Sequence, residues 1–333
     1  MRFCALPQSV SEINLVMTAR HTAFVFPGQG SQKVGMLAAA HTEYQAVRDT
    51  FAEAGEALGF DLWGLVQTGP QEALNLTATT QPVLLAASVA LWRAWQDQGG
   101  SAPTLLAGHS LGEFSALVCA GSLGFADAVR LVRQRGEFMQ TAVPVGEGAM
   151  AAIIGLDDDS INRVCAEIAA EGAGEVAAVN FNSPGQVVIA GHTAAVERAS
   201  VALKTAGAKR ALPLPVSAPF HTVLMRPAGD KLAEVLSTLT INAPTIPVVH
   251  NVHALPETDP ERIRSLLVEQ IYSPVQWTRC IEYMAASGVR TVVECGPGKV
   301  LSGLNKRING ELESFSLEEP AGLQDALAAL ATD

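Results

Sequence analysis

The chain has 333 residues, 48% of them apolar and only 5% aromatic, with 29 glycines and a formal net charge of −11. This is ample for the core of one large domain or two ordinary ones, and it carries no disorder bias. A negative balance without any Lys/Arg block argues against nucleic acid and anionic membrane as partners, and an acidic partner would need a local basic patch.

Thr22 to Phe26 reads as a first strand, followed by the loop Pro27-Gly28-Gln29-Gly30-Ser31-Gln32 and a helix from about Gly35. The glycines invite a dinucleotide-loop reading, but position 33 is Lys where that fingerprint needs a third glycine. The loop is better suited to bring the backbone N–H of Gln29 near a reacting group. Helical segments, including Gln81 to Gln96, run to Gln98. The apolar run Thr104 to Ala107 is a buried strand, Gly112 to Cys119 the next helix, and Gly108-His109-Ser110-Leu111-Gly112 lies between them. A Gly-x-Ser-x-Gly turn between strand and helix lifts the serine hydroxyl clear of the sheet. It also aims that hydroxyl at the positive end of a helix, where N–H groups can hold an oxyanion. Ser110 is the candidate nucleophile.

Phe125 to Thr141 reads as an amphipathic helix carrying Arg130, Arg133 and Arg135. The rhythm then changes. Ala149 to Ile154, Ser160 to Ala170, Val176 to Asn180, Gln186 to Ala190, Thr193 to Ala206 and Lys209 to Val216 follow the order βαββαβ, the ferredoxin-like split unit. After Ser217 the α/β pattern resumes with a strand at Pro247 to Asn251, a helix near Asp259 to Gln270 and a strand at Thr291 to Cys295. Gly296-Pro297-Gly298-Lys299 then closes that strand as a turn without Walker spacing. The expected fold class is α/β, with residues 18–145 and 216–333 forming one catalytic domain and residues 146–215 an inserted ferredoxin-like domain. Residues 1–17 lack the features of a signal peptide and are expected to lie outside the fold. The motif-bearing region fills nearly the whole chain, as in a free-standing protein.

The five cysteines (Cys4, Cys119, Cys165, Cys280, Cys295) are scattered, without metal-ligand spacing. That pattern predicts reduced thiols in a cytoplasmic protein, with no bound metal and no bilayer-spanning segment.

A serine nucleophile needs a base. Of the seven histidines, His221 stands where the chain returns from the insertion to the main sheet, a setting in which clefts form, and it is favoured over His250 and His253, which follow a strand and are the alternative cleft-lining pair. His109, beside the serine, is expected to pack away from the hydroxyl. No acid precedes His221 in the post-strand setting of a Ser-Asp-His hydrolase, so a carbonyl or amide is the expected orienting partner.

Phe26-Pro-Gly-Gln-Gly-Ser-Gln32, Gly108-His-Ser-Leu-Gly-Glu113, Arg135-Gly136 with Met139-Gln140, and Pro219-Phe-His221 resemble the malonyl-coenzyme A:acyl carrier protein transacylases of fatty acid synthesis. So do Gln270 with Ser273-Pro-Val-Gln-Trp-Thr278 and the turn Gly296 to Leu301, all in order along the chain. The resemblance implies an α/β-hydrolase-like large domain with the ferredoxin-like insertion. It implies Ser110 as nucleophile, His221 as base, and the main-chain carbonyl of Gln270 as the group orienting the histidine. Backbone N–H groups of Gln29 and Leu111 would form the oxyanion hole, and Arg135 would bind the malonyl carboxylate. Phe220 resembles the version of its motif that accepts malonyl over bulkier acyl groups. The implied substrate is malonyl-CoA, the implied partner an acidic, phosphopantetheinylated acyl carrier protein, and the implied state a monomer with no permanently bound cofactor. Lys299, Lys306 and Arg307 are candidate contacts for that carrier. A serine hydrolase, a loading module of a polyketide synthase and a non-catalytic docking module are the competing readings.

Overall fold

The computed structural model describes residues 21–216 and 218–331, so the expectations for residues 1–17 and for Cys4 lie outside the described residues. Ten strands can be followed: β1 Thr22–Phe26, β2 Leu105–Gly108, β3 Gly148–Ile154, β4 Val176–Ser183, β5 Gln186–His192, β6 Arg210–Pro213, β7 Val248–Val249, β8 Pro256–Glu257, β9 Thr291–Glu294 and β10 Glu313–Ser316. They form two sheets among helices, a mixed α/β architecture.

The larger sheet has the order β10-β9-β1-β2-β7-β8, parallel except for the short edge strand β8. A central parallel strand is covered on both faces, which is why β1 and β2 read as continuous apolar runs without alternation. On one side Phe24 packs edge-on against Trp92 and Trp95 of helix Thr77–Asp97, at 5.3 Å between ring centroids in each case. On the other side Ala23, Val25 and Ala107 meet Trp277, Ile281 and Met284 of helix Trp277–Ala286.

The smaller sheet, order β4-β5-β3-β6, is antiparallel throughout and is covered by helices Asp158–Ala170 and Thr193–Thr205. Its strands and helices follow the βαββαβ order. Strands β4 and β5 extend further than their apolar runs suggest, closing through a tight turn at Pro184-Gly185. The two sheets are stitched together where β4 meets the segment after Gln270. Phe181 N–H donates to the Val275 carbonyl at 3.0 Å, and Val275 N–H donates to the Val179 carbonyl at 2.8 Å.

Among the described residues no helix is long and apolar enough to cross a membrane. Cys119, Cys165, Cys280 and Cys295 are free thiols, the last three buried.

Candidate active site

The turn between β2 and helix Gly112–Cys119 brings two backbones into contact. A Cβ on Gly108 would overlap the backbone of Gly112 and Glu113, and one on Gly112 would overlap the carbonyl oxygen of Phe26 in β1. Only glycine fits at either position, and between them Ser110 is held at φ 51°. Left-handed backbone is unfavourable for a serine and persists because the surrounding structure enforces it. Asn251, just past β7, supplies part of that enforcement. Its side chain accepts from Ser110 N–H at 2.7 Å and donates to the Gly108 carbonyl at 2.7 Å.

His221, also left-handed at φ 64°, faces the serine. Its Nε2 lies 2.8 Å from Ser110 Oγ and its Nδ1 2.8 Å from the carbonyl oxygen of Gln270. A carbonyl can only accept, so Nδ1 carries the proton and Nε2 presents a lone pair to the serine hydroxyl. Gln270 lies in the last turn of helix Pro260–Ile271, where carbonyls have no intrahelical partner and the dipole is negative. Burial, reinforced by the charge of Arg135, pushes the imidazole down to about 3 against the hydrogen bond to Gln270. The ring is therefore neutral at physiological pH, as a base must be.

Of the three arginines on helix Phe125–Thr141, two face solvent. Arg130 pairs with Asp127 and Arg133 with Glu137, both as exposed neighbours along the helix. Arg135 turns inward and is 1% exposed. Its Nη1 donates to Gln81 Oε1 at 2.9 Å, and its Nη2 to Gln270 Oε1 at 2.8 Å and Ser110 Oγ at 3.3 Å. Its Cζ sits 5.2 Å from the centre of the Phe114 ring. Burial pulls the guanidinium down to about 9, with Glu113 acting in the opposite direction, so it stays charged at neutral pH. A permanent cation thus stands in a dry site within reach of the candidate nucleophile.

These groups meet at a cleft of about 120 Å3 between the two sheets, walled also by Gln29, Leu111 and Phe220. Neither the Gln29 nor the Leu111 backbone N–H is taken up by a hydrogen bond among the described residues. All six site residues expected from the sequence, Ser110, His221, Gln270, Gln29, Leu111 and Arg135, are therefore gathered at one place.

Residues 23–312 match the acyl transferase domain family. The chain is 65% identical over 305 residues to the malonyl CoA-acyl carrier protein transacylase of Escherichia coli (strain K12), which covers 92% of this chain and 98% of that protein. The chain belongs to the malonyl CoA-acyl carrier protein transacylases. It is an acyltransferase. An acyl carrier protein S-malonyltransferase from Vibrio cholerae superposes with TM-score 0.90 at 59% identity, over 92% of this chain and 99% of that one. A malonyl-transacylase solved with its type II PKS acyl-carrier protein superposes with TM-score 0.91 at 57% identity, over 93% and 99%.

Two histidine expectations need revision in this transacylase. His250 does not line a cleft: it is fully buried beneath the serine turn, its Nδ1 2.7 Å from Glu113. His109 does not simply pack away. Its ring lines the cleft, Nε2 lies 2.7 Å from Asn182 Oδ1, and the ring leans on Trp277 at 5.5 Å. A second cleft of about 230 Å3 adjoins the first, shares Gln29, His109, Asn180 and Leu214 with it, and is lined also by Val300 and Gln186. Gln81 and Asn251 were missed in the sequence. Neither stands in a local pattern, and each reaches the site across more than fifty residues of chain.

Proposed function

We propose that the chain transfers malonyl groups from malonyl-CoA to the phosphopantetheine thiol of an acyl carrier protein through a malonyl-serine ester, supplying fatty acid elongation in the cytoplasm. One observation carries the reading: Ser110 Oγ lies 2.8 Å from a neutral imidazole and 3.3 Å from a buried guanidinium. The first makes a nucleophile, and the second selects an acyl group that carries a carboxylate.

Ser110 Oγ attacks the thioester carbonyl as His221 Nε2 takes its proton, and the carbonyl oxygen becomes an anion facing the N–H groups of Gln29 and Leu111. The C–S bond breaks, and the coenzyme A thiolate leaves with the proton from His221. The carrier thiol then gives its proton to His221 and attacks the malonyl ester. The C–O bond breaks, and Ser110 recovers the proton. The Gln270 carbonyl keeps the imidazole in the working tautomer and faces the charge that forms on it. This is the orienting role an acid plays in other triads, and it accounts for the missing acid.

Arg135 has donors to spare for the malonyl carboxylate. Its Nε has no hydrogen-bond partner among the described residues, and the long 3.3 Å contact from Nη2 to Ser110 Oγ can be exchanged, so the Nε/Nη2 edge can take both oxygens in a planar fork. Phe220 walls the acyl end of the cleft, which favours a small acyl group. We read residues 18–145 and 216–333 as an α/β-hydrolase-like catalytic domain and residues 146–215 as a ferredoxin-like insertion, supported by the βαββαβ order and the strand order β4-β5-β3-β6. We expect the enzyme to act as a monomer without a permanent cofactor.

Intact-mass analysis after mixing with malonyl-CoA tests the reaction. One malonyl adduct mapping to Ser110, with coenzyme A release stopping after one turnover until holo carrier is added, is the expected result. Steady release without any acceptor would make the protein a hydrolase instead.

A further inference from the structure

Beneath the Ser110–His221 pair lies a carboxylate that the proposed reaction leaves without a task. Glu113 stands in the first turn of helix Gly112–Cys119 and is wholly buried. A carboxylate in such surroundings is costly unless its lone pairs are filled by donors. Three converge on it. Gln270 Nε2 donates to Oε2 at 2.8 Å, Asn251 backbone N–H to Oε2 at 3.0 Å, and His250 Nδ1 lies 2.7 Å from Oε1.

Two of these donors lead directly to the reacting groups. Asn251 is the residue that clamps the serine turn through Ser110 N–H and the Gly108 carbonyl. Gln270 gives its main-chain carbonyl to His221, and its side-chain Nε2 is committed to Glu113 and to the Ser110 carbonyl at 3.0 Å. An amide so committed has only its oxygen left to offer on the other side. That oxygen meets Arg135 Nη2. Flipping the amide would set two donors face to face, so the orientation follows from the acceptor beneath it.

We propose that Glu113 is a positioning residue: by fixing the Gln270 amide and the Asn251 clamp, it aims Arg135 at a carboxylated acyl group and holds Ser110 ready for attack. Glu113 touches no reacting atom. In a Ser-His-Asp triad the carboxylate binds the histidine itself. Here the acid stands one residue further back, behind the glutamine that carries the orienting carbonyl. The inference rests on the site roles proposed above.

Glu113→Gln is nearly isosteric and puts an N–H donor where three donors already converge. The assay is single-turnover acylation by malonyl-CoA and by acetyl-CoA, with thermal unfolding of each protein alongside. Malonyl acylation is expected to fall on the order of 10-fold to 100-fold, as small misplacements of reacting groups do, and acetyl acylation to fall less. The malonyl preference therefore drops, and Glu113→Asp recovers part of it. Gln270→Met keeps the carbonyl and removes the amide, so it should lower the preference too. In that background Glu113→Gln should lower the preference no further. Equal losses for both acyl groups, or losses in preference that simply add, would overturn the proposal. Should Glu113→Gln fail to fold, an unchanged preference in Gln270→Met alone would overturn it. Ser110→Ala separates the two levels of inference. An adduct formed without Ser110 overturns the site reading and this inference with it. An inert Ser110→Ala beside an unaffected Glu113→Gln overturns this inference alone.

Discussion

Replacing Arg135 by alanine removes a cation that the fold has already desolvated. The side chain is almost fully buried, with its outer donors on Gln81, Gln270 and Ser110 and its Nε unpartnered among the described residues. A carboxylate taken up on the Nε/Nη2 edge, in exchange for the long Nη2 contact to Ser110, accepts two charge-assisted hydrogen bonds, each about 1.5–3 kcal/mol. Losing both amounts to ~3–6 kcal/mol, and at ~1.4 kcal/mol per factor of ten this is roughly 10²–10⁴ in the rate of malonyl acylation. A neutral acyl group never meets those donors, so acetyl acylation should change far less and the preference should shift toward it. Stability should also fall, because the amide oxygens of Gln81 and Gln270 lose their partner at about 1–3 kcal/mol for each unsatisfied group. Arg135→Lys keeps the charge but not the fork, and it should lie between wild type and alanine. Single-turnover release of coenzyme A from malonyl-CoA and acetyl-CoA measures all three proteins. Parallel losses for the two acyl groups in Arg135→Ala would refute the argument and leave the arginine a structural role.

The pH dependence follows from His221. Its imidazole stays neutral in the fold until about 3, so acylation should persist well below pH 6, and a midpoint near 6.5 would contradict the buried-base reading. The same depression makes folding pH-dependent: the unfolded ring takes up a proton as pH falls through 6.5 while the folded ring does not. Its contribution is therefore intact above pH 6.5 and lost progressively between 6.5 and 3. Denaturant unfolding at pH 7 and pH 5 should show a larger loss for wild type than for His221→Gln. Gly112→Ala drives a Cβ into the Phe26 carbonyl and should lower the unfolding midpoint by several degrees while abolishing acylation, whereas an active, equally stable variant would contradict the close approach. Reversing Lys299 and Arg307, exposed beside the second cleft, should slow transfer to the acidic carrier and leave transfer to a small thiol unchanged; equal slowing of both would remove them from the docking surface.

Much of the fold could be read locally. Helices Gly112–Cys119 and Phe125–Thr141 begin and end where their patterns do, because periodicity and the flanking glycines act over a few residues. Helices Arg226–Ser237, Trp277–Ala286, Val300–Ile308 and Pro320–Leu330 and the edge strand β10 are absent from the sequence reading, although Val300–Ile308 lines the second cleft and β10 extends the large sheet beside β9. Strand β7, expected over Pro247 to Asn251, shrinks to Val248–Val249 because the chain bends away at once to bring Asn251 beneath the serine.

For the site, the division is physical. A Gly-x-Ser-x-Gly turn is legible in sequence because its steric requirement lies within five residues of chain, and the His221 motif and the arginine helix are legible through the resemblance they carry. What only the tertiary structure decided is which polar groups share a buried space. Gln81 and Asn251 sit far from Ser110 in the chain, and nothing in their local sequence separates them from ordinary helix or loop residues; Glu113 closes the serine motif, but which groups it meets cannot be read from that motif. They converge because desolvated charges at Arg135 and Glu113 require partners, and packing two sheets and their helices together leaves those side chains as the ones within reach.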